Sequence, residues 1–294
     1  MSPAPSLFEG FGLPLLERVR ALVAQGQRPL IALNGPVGAG KSTLARQLRE
    51  HAQAVGLQLA VASIDDAYLP WQPRLTAMAG NPFGVSRVPP GSHDTALLIE
   101  RLACWRAGAP LVLPRFDKTL RDGQGDRSGE QSLPADAVVL EGWLLGCRSL
   151  GDALPLALAR LDGLTPEERD WLPRWDRALR AYQPLADPEL GLVDGLWLLH
   201  PSSWRLPLRW RLQAEAQQRR RLRRDGSGGG ALDGQAVAAI VRASLASLPP
   251  QLYQDPLVHI ANAAAVIDGR RRCLCIRLPG SDQLSSSSDS SLTG

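Results

Sequence analysis

The stretch "GPVGAGKST" at residues 35–43 decides the fold of this chain. Gly35, Gly38 and Gly40 allow a backbone path on which successive N–H groups turn inward around an anion, a path that side chains would obstruct. Lys41 adds a charge that reaches the β and γ phosphates of a nucleotide, and Ser42 adds a hydroxyl suited to Mg²⁺. The flanks complete the pattern. "RPLIALNG" (28–35) is a short apolar run bounded by Pro and Gly, hence a buried strand, and "KSTLARQLREHAQAVG" (41–56) is a helix closed by Gly56. A strand, a GxxxxGK[ST] loop and a helix in that order form a phosphate cradle, and the helix N-terminus adds its partial positive charge. Gly35, Pro36, Val37, Gly38, Ala39, Gly40, Lys41, Ser42 and Thr43 are the expected nucleotide-binding residues.

Beyond the cradle the chain alternates. "LPLLERVRALVAQ" (13–25) has helical spacing, and "LQLAVASID" (57–65) reads as a strand. Residues 70–92 read as a long irregular connection, "DTALLIERLACWRAG" (94–108) as a helix starting at Asp94, and "PLVLPRFD" as a third short strand. Residues 121–135 read as loop, "DAVVLEG" (136–142) and "VDGLWLLH" (193–200) as buried strands, 206–224 and 234–247 as helices, and "AAVID" with "RRCLCIRL" as a final strand pair. This order predicts an α/β class: a P-loop NTPase core with a mainly parallel sheet flanked by helices. A single domain over 1–279 is expected. It contains a Leu/Pro/Trp-rich helical insertion at 144–192 and a candidate lid at 217–232, and a Ser-rich tail at 280–294 reads as disordered by composition.

Composition narrows the partners. The 294 residues carry a net charge of +4, which favours anionic small ligands over a nucleic-acid face. The N-terminal residues lack a signal-peptide layout, and no run is long and apolar enough to span a bilayer, so a cytoplasmic protein without a membrane partner is expected. Four scattered cysteines without metal-site spacing read as reduced, buried thiols.

Lysine is the rarest cation. The chain has 31 arginines and two lysines, Lys41 and Lys118. Lys118 lies in "LPRFDKTL" (113–120), and an ammonium is a compact charge on a flexible stem, able to follow a small carboxylate or a migrating phosphoryl group. Lys118 reads either as the acceptor-side counterpart of Lys41 or as a surface partner of Asp117 or Asp122. In "ASIDDAYL" (62–69), Asp65 sits where a strand end faces the γ-phosphate and can accept a proton from an attacking hydroxyl; its other reading is a turn or cap residue. Asp66 is the structural member of that pair. Glu141 ends a buried strand and is placed for the magnesium shell, or for a backbone partner.

Taken in order, "GPVGAGKST", "SIDDAYL", "GNPFGVSRVPPGSHD", "LPRFDKTLRDGQGDR", "VVLEGW" and "RWRLQAEAQ" resemble the D-glycerate 3-kinase family, a relative of the uridine, pantothenate and phosphoribulo-kinases. The match covers about 28–146 and resumes over about 193–255. "PPGSHD", "PRFDK" and "GDR" narrow it to glycerate kinase. The resemblance implies ATP and Mg²⁺ as cofactors, D-glycerate as acceptor and 3-phosphoglycerate as product. It places the base on Asp65, magnesium near Ser42, Asp65 and Glu141, and an acceptor-side set of Tyr68, Arg87, His93, Asp94, Arg115, Lys118 and Arg127. Three positions depart from the family pattern: Ala67 for an aromatic, Ser92 for Thr and Phe116 for Tyr. Ala67 could widen the acceptor pocket.

On the residues alone several readings stay open. Arg115 contacts an anion or forms a structural ion pair; His93 touches the acceptor or supports the helix start at Asp94; Asp126 and Arg127 pair with each other. The arginine run in "QQRRRLRRDGSGGG" (217–230) is a solvated helix end, a lid reaching the transferred phosphoryl, or a nucleic-acid contact. The alternative functions are a kinase of the same group acting on uridine, pantothenate or a sugar phosphate, an acceptor-independent regulatory ATPase, and a nucleic-acid-stimulated ATPase.

Overall fold

A computed structural model describes residues 6–186, 191–224 and 234–278. In chain order it contains helix α1 (Leu13–Ala24), strand β1 (Leu30–Asn34), α2 (Lys41–Ala54), β2 (Leu59–Ser63), α3 (Trp71–Met78), α4 (Thr95–Arg106), β3 (Leu111–Asp117), β4 (Asp126–Leu133) and β5 (Ala137–Gly142). There follow α5 (Leu154–Ala159), α6 (Pro166–Leu179), β6 (Gly195–Pro201), α7 (Leu206–Arg224), α8 (Gly234–Ser247), α9 (Pro250–Tyr253), β7 (Ala263–Ile267) and β8 (Cys273–Arg277).

Six strands form one sheet in the order β2-β5-β1-β6-β7-β8. All neighbours are parallel except the terminal β7–β8 pair. Period-two alternation gives β1 two cores. Leu30 and Ala32 join one apolar cluster with Val138, Leu140 and Leu198, while Ile31 and Leu33 join another with Val139, Leu199 and Trp210. Helices cover both faces, so every residue of β1 is buried. From β1 the chain moves to β2 on one side and later fills β6 on the other. The switch point lies outside the carboxyl end of β1, where α/β sheets bind ligands.

Four expectations change. Residues 70–92 are not wholly irregular: α3 occupies Trp71–Met78, and its Pro73 falls in the first turn, where backbone N–H groups have no helical partner to lose. The strand read over 57–65 stops at Ser63, and residues Ile64–Ala67 form a 3₁₀ turn. β3 is not part of the main sheet. It pairs antiparallel with β4, inside the span read as loop, because the polar "DRSGEQSL" has no apolar alternation and is held by main-chain pairing. Among the four free cysteines only Cys147 is buried; Cys104 and Cys275 are exposed.

The span 144–192 carries α5, α6 and a 3₁₀ turn at Arg180–Leu185. Thr165 and Glu168 form a capping box at the start of α6, and Arg242 of α8 donates to Glu168 Oε1 at 2.7 Å. Residues 225–232 of the candidate lid and the tail at 280–294 lie outside the described residues.

Candidate active site

The phosphate cradle starts where β1 runs out. Gly38 and Gly40 have φ of +78° and +99°, conformations that L side chains rarely adopt. Gly40 caps α2, and its carbonyl accepts from Thr43 N and Leu44 N at 3.0 Å each. The Lys41 ammonium donates to Gly35 O at 2.7 Å and Pro36 O at 3.2 Å, and stands 3.8 Å from Glu141 Oε2.

Asp65 projects from the 3₁₀ turn after β2, which Ser63 Oγ holds by accepting from Asp65 N at 3.3 Å. Lys118, beyond the end of β3, donates to Asp65 Oδ2 at 2.9 Å. Asp117 is occupied otherwise, accepting from Thr119 N and Oγ1 at 2.8 and 2.6 Å. His93 Nε2 lies 3.9 Å from Asp65 Oδ1, and its ring stacks on Tyr68 with centroids 4.2 Å apart. Burial would raise the Asp65 pKa, but the Lys118 ammonium beside it holds the carboxyl well below its usual range. Burial pushes the His93 imidazole down against the pull of Asp65. The site therefore presents a carboxylate and a neutral imidazole near neutral pH.

Two cavities meet here, sharing Val37, Lys41, Asp65, Lys118, Glu141 and Arg211. The smaller, about 160 Å³, is walled by Tyr68, Arg87, Val88, His93 and Trp143. The larger, about 460 Å³, runs over Gly38, Gly40, Ser42, Thr43 and Arg271. Only the larger falls within the ~300–1,000 Å³ usual for a drug-sized ligand. Val88 is β-branched yet has φ +96°, an outlier of the kind found where a wall is held in place by its surroundings.

Of the acceptor-side set, Tyr68, Arg87, His93 and Lys118 line the small cavity and the other three do not. Asp94 is the N-cap of α4, accepting from Leu97 N at 3.2 Å, and its other oxygen lies 3.2 Å from Arg127 Nη2. Arg127 Nε also donates to Tyr68 O at 2.8 Å, so this pair braces the loop behind Tyr68. Asp126 pairs with Arg121 Nε at 3.1 Å in place of the expected Arg127 side chain. Arg115 is exposed on the face of β3 opposite the buried Phe116. Ala67 is fully buried in the core and adds no width to the cavity. Asp94→Ala is expected to remove the cap and the ion pair, costing about 1–2 kcal/mol and lowering Tm by a few degrees. Thermal denaturation checks this, and an unchanged Tm would contradict the bracing role.

Three cavity residues were not among the expected site residues. Arg211 lies on α7, pairs with Glu215 one turn on, and has a buried Nε without a partner. Arg271, at φ +61° in the β7–β8 turn, donates from Nε to Gly38 O at 2.6 Å and lies over the Trp210 ring. Trp143 follows β5 and donates to Ser244 O at 3.3 Å. Arg211 sits in "RWRLQAEAQ", whose Arg-to-Glu spacing of four was its nearest hint.

Ser42, Asp65 and Glu141 all line the larger cavity. Among the described residues no group of three or more His, Cys, Asp or Glu is arranged to hold a metal. One hydroxyl and one or two carboxylates fit Mg²⁺, which keeps several waters and takes further ligands from substrate phosphates.

No protein-family model matches the chain. It is 29% identical over 203 residues to the uncharacterized kinase mug58 of Schizosaccharomyces pombe, covering 65% of this chain and 71% of that one. Its structure is similar to that of the YGR205w protein, with TM-score 0.75 and 24% identity over 94% of this chain and 99% of the other. It is equally similar to a D-glycerate 3-kinase from Cryptococcus neoformans var. grubii, with TM-score 0.75 and 23% identity over 90% of this chain and 98% of that one. The mostly parallel sheet flanked by helices is a fold that this chain shares with both of these structures.

Proposed function

We propose that this protein is an ATP-dependent small-molecule kinase that phosphorylates D-glycerate to 3-phosphoglycerate. The observation that carries the reading is the Lys118–Asp65 pair, set in the wall shared by the phosphate cradle and a small cavity. Phosphoryl transfer is mostly positioning and charge stabilisation, with one base for the acceptor's proton. The cradle amides and Lys41 hold the β and γ phosphates. Asp65 takes the proton of the attacking hydroxyl, and Lys118, Arg87 and His93 orient the acceptor. Ser42 and Glu141 are the residues that would hold Mg²⁺, which when bound supplies charge neutralisation across the phosphates, and Asp65 is left for the proton.

Cations around a cavity of this size suit a three-carbon acid. Two aromatics line it, Tyr68 and Trp143; the Tyr68 ring already stacks on His93 and meets Phe116 edge-on at 5.0 Å, and Trp143 meets Trp204 edge-on at 5.8 Å. Among the described residues no helix is long and apolar enough to cross a membrane. A cytoplasmic setting, with no nucleic-acid partner, completes the reading. Incubation with Mg·ATP and D-glycerate followed by ³¹P NMR tests it: the 3-phosphate ester is expected, and absence of any phosphate ester would refute it.

Lys118 also sets a pH dependence. Its charge keeps Asp65 ionised well into acid, so the acid limb of kcat/KM lies below the ordinary carboxylate range. In Lys118→Met the Asp65 pKa rises, the acid limb moves to higher pH, and kcat/KM for the acceptor falls about 10- to 100-fold through loss of a charge-assisted hydrogen bond. An acid limb that stays in place would contradict the pairing.

A further inference from the structure

The span 144–192 has so far no part in the chemistry, yet one of its side chains touches the acceptor cavity's wall. Tyr182, in the 3₁₀ turn after α6, is fully buried, and its hydroxyl lies 2.8 Å from His93 Nδ1. That hydroxyl accepts from Gly91 N at 3.1 Å. Ser92 Oγ is 3.4 Å from the same Nδ1, but its proton goes to Pro89 O at 2.7 Å. The Tyr182 proton is therefore the one available to Nδ1. Nδ1 becomes an acceptor, and the hydrogen of the neutral ring sits on Nε2.

Nε2 is buried without a hydrogen-bond partner and faces Asp65 Oδ1 across 3.9 Å. This separation is too long for a direct hydrogen bond and leaves Nε2 free for an oxygen atom entering the cavity. The other tautomer would aim a lone pair at a carboxylate. Tyr182 is itself fixed. Asp176 of α6 accepts from Tyr253 Oη at 2.8 Å, Leu150 N at 2.7 Å and Ser149 Oγ at 2.7 Å, and Arg242 clamps Glu168 at the other end of the helix.

We propose that Tyr182 is a positioning residue: it locks His93 as the Nε2–H tautomer, so that His93 donates to an acceptor oxygen while Asp65 receives the hydroxyl proton. The segment 144–192 thereby takes part in selecting a hydroxylated, oxygen-rich acceptor. This rests on the kinase reading for its substrate half, but the tautomer stands apart from it.

The test uses the full chain labelled with ¹⁵N-histidine, at a pH where the imidazole is neutral, with His93→Gln to assign the signal. Long-range ¹H–¹⁵N spectra of the wild type are expected to show His93 with a protonated Nε2. In Tyr182→Phe that single tautomer is lost, the acceptor KM rises about ten-fold, and the KM for ATP stays within two-fold. A wild-type Nδ1–H tautomer would overturn the proposal even if Tyr182→Phe failed to fold. An unchanged tautomer in Tyr182→Phe would overturn it as well, and a changed tautomer with an unchanged acceptor KM would remove the orienting role. If D-glycerate proves not to be the acceptor, the spectra still decide the tautomer.

Discussion

Asp65→Asn is expected to lower kcat about 10³-fold while leaving Mg·ATP affinity within a factor of two. A positioned general base is worth about 10²–10⁴ in rate, and an amide of the same shape cannot take the proton. The substitution is nearly isosteric, and the turn that carries Asp65 is held through its backbone N–H to Ser63, so the fold should survive. Lys118 would lose its charge partner, but it is 58% exposed and water can solvate it. Single-turnover kinetics beside a nucleotide titration separates the two effects. Near-normal turnover would remove the base assignment, and a parallel loss of ATP affinity would move Asp65 from the base role to nucleotide binding.

Gly38→Ala is expected to weaken nucleotide binding at least 100-fold. At φ +78° an alanine costs about 1–2 kcal/mol. The added Cβ would also lie 2.6 Å from Trp210 Cβ and 3.3 Å from the Trp210 carbonyl carbon. Neither atom is the far end of a flexible chain, since Trp210 is fully buried on α7. Either the cradle or the helix must shift, and the shift would also disturb the Arg271 contact to Gly38 O. Calorimetric titration with Mg·ADP measures the loss. Affinity within three-fold of wild type would mean that the loop conformation is not the one that binds nucleotide.

These two positions differ in how far the sequence alone could specify them. Gly38 was legible because the cradle is local: its strand, glycines, lysine and helix follow one another within one short segment. The helices α7 and α8 and the start of α4 at Asp94 were legible for the same reason, through periodicity and capping chemistry. The Asp65–Lys118 contact joins residues 53 positions apart, and no spacing rule gives that distance. It depends on the β3–β4 hairpin standing over the turn after β2, and the polar β4 had no alternation to announce it. Lysine scarcity pointed at Lys118 without naming its partner. Arg115 on β3 and Arg127 on β4 flank the turn that carries Lys118, yet strand alternation turns Arg115 away and Asp94 occupies Arg127. Tyr182 reaches His93 across 89 positions, from a segment whose motif content was weak.

ADP release is the most direct test for a kinase with a small hydroxy-acid acceptor. Purified protein with Mg·ATP would be assayed alone and with D-glycerate, L-glycerate, uridine, pantothenate and ribulose 5-phosphate in turn. Strong stimulation by D-glycerate and by no other compound is the expected result. Equal ADP release with and without every acceptor would contradict the account and leave an acceptor-independent ATPase.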